Sequence, residues 1–129
     1  MSTIKANDIQ NASGGIPTVK GQRLIPKTWV NFKGTEPEAI RDSENVSSLI
    51  DGGTGKYTVN FTTAMTNVNY SASGSCGVNS GTAGTATVSV RPYSWATSAF
   101  SFTTNYSTAS LNADFDFDAV NVTILGGQA

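Results

Sequence analysis

The sequence predicts an all-β chain: an antiparallel β-sandwich or jelly-roll-like domain of about eight short strands with an extended N-terminal arm. Three observations lead there. Polar and apolar residues alternate with period two in several short runs, as half-buried strands require. Clusters of Gly, Pro, Asn and Asp interrupt those runs about every ten residues. Ser, Thr, Asn and Gly together supply 56 of the 129 residues, whereas Ile, Leu, Val and Phe supply 27. Such a chain has a thin core, and the β-formers Val, Phe, Thr and Tyr must build it.

Residues 1–26 form the arm. Thr3 to Ile9 is a short extended segment, with Ile4, Ala6 and Ile9 as its apolar groups. Ser13-Gly14-Gly15, Pro17 and Pro26 then punctuate it as a linker. An arm so poor in apolar residues is expected to find its order on another chain.

The sandwich is expected over residues 27–129. Thr28 to Phe32 is aromatic and β-branched and stops at Gly34. A single helical turn is expected at Glu36 to Arg41. Val46 to Ile50 is closed by Asp51-Gly52-Gly53-Thr54-Gly55, a run of residues that accept positive φ. Lys56 to Phe61 alternates cleanly, placing Tyr57, Val59 and Phe61 on one face, and completes the clearest hairpin. Further strands are expected at Val68 to Ser75, at Thr85 to Val90 with Pro92 ending it, at Phe100 to Thr104, at Ala113 to Asp118 and at Val120 to Ile124.

Several chemistries are excluded or weakened. The chain has no histidine and a single Cys76, so His-based triads, an internal disulfide and Cys-cluster zinc sites are out of reach. Eight basic residues against nine acidic ones leave a formal charge of −1, which is a poor match to nucleic acid. No run approaches the roughly 18 apolar residues of a membrane span. The first ten residues lack the apolar core of a secretory signal, so synthesis in a reducing cytoplasm is expected. Gly55-Lys56 fails as a phosphate loop, because Ile50 and Tyr57 stand where that motif needs Gly and Ser or Thr. No catalytic motif and no cofactor site emerge, and the chain is expected not to be an enzyme.

Two groups remain as candidate contact residues. In a strand, Asp114, Asp116 and Asp118 would line one face and Phe115 and Phe117 the other. Such a row of carboxylates is a solvated face or a contact to basic groups of a neighbouring subunit. Their spacing along a strand, roughly 6.6 Å between alternate residues, is too wide for easy convergence on a metal. Tyr93 and Trp95 lie in a region of loop chemistry, where their flat faces and polar tips suit sugar rings or a partner chain.

Several segments together resemble a module of tail-fibre-like virion structural proteins from marine and cyanobacterial phages. They are Trp29 to Gly34, Ala39 to Ser43, Asn45 to Ser48, Thr54 to Met65 and the closing strand Val120 to Ile124. Ser2 to Asn11 is similar to the start of many such proteins, and residues 71–112 match least. The resemblance implies a structural protein of the virion with no catalytic residues. Its expected form is a homotrimeric short tail fibre or fibre tip, docked on other virion proteins through the arm and touching the host surface or its polysaccharide. A capsid decoration protein and a carbohydrate-binding module are the alternatives.

Overall fold

The computed structural model describes residues 26–77 and 87–127. The arm residues Ile4, Ala6 and Ile9 lie outside them. Among the described residues nine strands follow in order: β1 (Thr28–Lys33), β2 (Ala39–Glu44), β3 (Val46–Asp51), β4 (Lys56–Phe61), β5 (Tyr70–Gly77), β6 (Thr87–Trp95), β7 (Ala99–Ser107), β8 (Asn112–Asp114) and β9 (Ala119–Gly126). They form two antiparallel sheets, ordered β2-β1-β9-β5 and β3-β4-β7-β6, with β8 pairing the end of β7. The fold is a β-sandwich.

Alternation decides which side chains fill the space between the sheets. Val30 and Phe32 of β1 and Val120, Val122 and Ile124 of β9 face Tyr57, Val59 and Phe61 of β4 and Phe100 and Phe102 of β7, all buried. Each such side chain contributes about 1.5–3 kcal/mol on burial. Aromatic rings compensate for the scarcity of Leu and Ile. Phe32 meets Tyr57 edge-on at 4.9 Å between centroids, and Phe100 stacks on Phe102 at 5.6 Å.

The strand registers give the sandwich two distinct ends. At the entry end, Thr28 pairs with Ile124, Val46 with Phe61 and Trp95 with Phe100. At the far end lie Lys33 opposite Ala39, Asp51 opposite Tyr57, and Lys56 opposite Thr103. At the entry end the chain passes from one sheet to the other through Asn45, whose φ is 56°. Asn45 is held by donating to the Thr28 hydroxyl and the Thr63 carbonyl, both at 3.0 Å, and by accepting from the Thr63 amide at 2.7 Å. A short amide side chain tolerates this left-handed backbone because it bonds locally.

Three expectations are corrected. Glu36 to Arg41 does not form a helical turn; β2 runs from Ala39 to Glu44. As an edge strand exposed on both faces, β2 offers no alternation to read. Pro92 does not end β6, which continues to Trp95. β6 is the outer strand of its sheet, so a residue without an amide proton costs the ladder little there, and a bulge follows between Pro92 and Ser94. Ala113 to Asp118 is not one strand: β8 ends at Asp114, and residues 115–118 cross the far end irregularly before β9.

Candidate functional site

Leaving the strand at Asp114 changes the fate of each carboxylate. The Phe115 amide donates to the Thr104 carbonyl at 3.0 Å, and the Thr104 hydroxyl donates to the Phe115 carbonyl at 2.6 Å. Asp116 turns inward, where one carboxylate oxygen accepts from the Gly55 amide and lies 2.8 Å from the Tyr57 hydroxyl. The Gly34 amide donates to the Phe117 carbonyl at 2.9 Å. Asp118 accepts from Arg41 at 3.2 Å in the one ion pair among the described residues. Phe117 is buried and Phe115 stays 47% exposed, with the two rings packed edge-on at 5.0 Å between centroids.

The three carboxylates therefore do not form a row. Asp116 and Asp118 are committed within the chain, and Asp114 alone faces outward beside basic groups. Burial, with the Asp116 carboxylate adjacent, pushes the Tyr57 hydroxyl far above the usual tyrosine range. This clasp requires two glycines. A Cβ at Gly55, whose φ is 65°, would stand 2.6 Å from the Thr104 carbonyl and the Phe115 amide. A Cβ at Gly34 would stand 2.5 Å from the Tyr57 hydroxyl.

Tyr93 and Trp95 are separated by the bulge. Regular alternation would put residues two apart on one face. The extra residue between Pro92 and Ser94 shifts the alternation, so Trp95 packs on the buried Phe100 at 5.9 Å between rings. Tyr93, 56% exposed, borders the outer face instead.

There it helps line a depression of about 470 Å³ whose walls are Lys56, Arg91, Pro92, Tyr93, Thr103 and Asp114. Lys56 opens β4, Thr103 lies opposite both Lys56 and Arg91 in the registers, and Asp114 ends β8. Four strands thus deliver two cations, one carboxylate, one hydroxyl and one aromatic ring to one place. Lys56, Arg91, Thr103 and Asp114 carried no mutual signal in the sequence. Only the pairing of β4, β7, β6 and β8 brings them together.

A second polar group gathers on the β2–β3 edge. Carboxylate oxygens of Glu36, Glu38 and Asp51 lie within 4.8 Å of one another. The Glu38 carboxyl is raised above its ordinary range, chiefly by a hydrogen bond with Asp51 and further by the neighbouring negative charges. Three carboxylates could supply oxygen ligands to a hard cation, though Ca²⁺ takes six to eight such ligands. Cys76, half-buried in β5, has its thiol pushed up by burial, which makes it a poor nucleophile.

Comparison with protein-family models, with curated proteins and with solved structures finds no significant match to this chain.

Proposed function

We propose that this chain is a non-enzymatic structural protein of a phage virion, a homotrimeric short tail fibre or fibre tip. In this reading residues 1–26 dock on other virion proteins and the sandwich contacts the host surface. The observation that carries it is the separation of the two ends. The chain enters β1 at Thr28, and the depression bordered by Lys56, Arg91 and Tyr93 opens toward the far end of the same domain. An adhesive fibre needs that polarity, with attachment at one end and contact at the other.

Two further features support it. The segments that resemble the virion module fall on β1, β2, β3, β4 and β9, and β1, β9 and β4 supply much of the buried core. The edge formed by β2 and β3 exposes Ile40 and Ile50, apolar surface that a neighbouring subunit would cover.

Antibody labelling of purified particles tests the reading. Label on the tail supports a fibre, label on the capsid makes the chain a decoration protein, and unlabelled particles overturn a virion role. Deleting residues 2–26 is expected to leave the sandwich folded and abolish incorporation. Sedimentation equilibrium should give a trimer, and a folded monomer at micromolar concentration would overturn that part.

A further inference from the structure

We propose that the depression lined by Lys56, Arg91, Tyr93, Thr103 and Asp114 binds a carboxylate-bearing saccharide, a uronic-acid segment of an acidic polysaccharide. The inference rests on the host-contact reading and names the ligand class of that contact.

Charge is the first argument. Among the described residues five are basic and eight acidic, so the domain as a whole repels anions. The acidic groups crowd elsewhere: Glu36, Glu38, Asp42, Glu44 and Asp51 all lie on or beside the β2–β3 edge. The depression reverses the balance, with two cations against one carboxylate. Neither Lys56 nor Arg91 forms an ion pair with a described carboxylate, so both keep their donors for a ligand. Arg91 offers a planar fork that matches a carboxylate in two parallel hydrogen bonds, and Lys56 offers a point charge.

The other walls select a sugar over other anions. Tyr93 presents an exposed ring on which the C–H face of a pyranose can lie. The Thr103 hydroxyl and the Asp114 carboxylate accept hydrogen bonds from ligand hydroxyls, which a uronic acid has and a dense phosphate chain lacks. Asp114 would also repel the closely spaced charges of nucleic acid. The volume of about 470 Å³ lies inside the range usual for small-ligand sites, roughly 300–1,000 Å³.

Calorimetric titration of the full chain with a galacturonic acid tetramer tests this, with its methyl-esterified twin as the neutral control. The acid form is expected to bind at low salt and weaken as salt is added. The esterified form should bind at least tenfold more weakly. Arg91→Ala and Tyr93→Ala should each reduce affinity at least tenfold, and Lys56→Gln severalfold. All three side chains are at the surface, so circular dichroism should show unchanged folding. Equal affinity for both tetramers, no binding of either, insensitivity to Arg91→Ala and Tyr93→Ala, or tighter binding of an RNA oligomer would each overturn the site. Particle labelling separates the two proposals. A labelled virion whose protein ignores the tetramer fails the site alone, and a binding protein missing from particles fails the fibre alone.

Discussion

The Tyr57 hydroxyl lies 2.8 Å from a carboxylate oxygen of Asp116, tying the start of β4 to a segment 59 residues further along the chain. The same hydroxyl reaches the Gly34 carbonyl at 2.8 Å, so one phenol joins β4 to two loops at the far end. Asp116→Ala leaves the Gly55 amide without its acceptor and leaves the Tyr57 hydroxyl the Gly34 carbonyl alone. It should cost about 2–3 kcal/mol in urea denaturation. Tyr57→Phe keeps the ring contacts and should cost about 1 kcal/mol.

Alkaline stability should report the same pair. Unfolded tyrosine ionises near 10, whereas Tyr57 in the fold holds its proton well above that. The folded value is raised, so the contribution is whole below about pH 10 and is lost as pH climbs beyond it. Tyr57→Phe should therefore flatten the fall in melting temperature above pH 10. An unchanged alkaline slope would contradict the buried placement of this hydroxyl.

Gly55→Ala should be severely destabilising, by roughly 3 kcal/mol or more, because positive φ and a backbone clash coincide. Gly77→Ala is the control. No atom of the described residues lies within 4 Å of a Cβ there, and its φ is unexceptional, so thermal melting should barely change.

Glu38→Gln should raise the melting temperature at neutral pH. Glu38 holds its proton more tightly in the fold than in the unfolded chain. Its contribution is thus favourable at acid pH and is lost as pH rises through the raised value. The gain from Gln should shrink toward pH 4, and a gain that grew on acidification would contradict the crowding with Asp51.

Arg41→Ala and Asp118→Ala should each cost less than about 1 kcal/mol, since the pair is part-exposed and screened. Added salt should narrow the difference from the parent protein. Of the adjacent carboxylates, Asp116 should matter far more than Asp118.

The fold was legible wherever one strand face is buried. Tyr57, Val59 and Phe61 announce β4, and Phe100 and Phe102 announce β7, because burial imposes the period of two. β2 was hidden because solvent bathes both its faces and nothing constrains its pattern. Asp114 to Asp118 alternates perfectly and still leaves the strand. Its rhythm follows from bonds to Gly34, Gly55, Tyr57, Thr104 and Arg41, partners that local sequence cannot announce. The depression was legible only through Tyr93 and Asp114, singled out for separate reasons. Its cations come from strands separated by more than thirty residues.

The antiparallel neighbours β1 and β9, with Thr28 beside Ile124 at the entry end, have a mechanical consequence. A pull applied through the residue before β1 and resisted at the depression runs lengthwise along the strands. The ladder hydrogen bonds then share the load in shear, where a pull across the sheet would peel them open one by one. A tether held at Thr28 and gripped near Arg91 is thus loaded along its strongest direction.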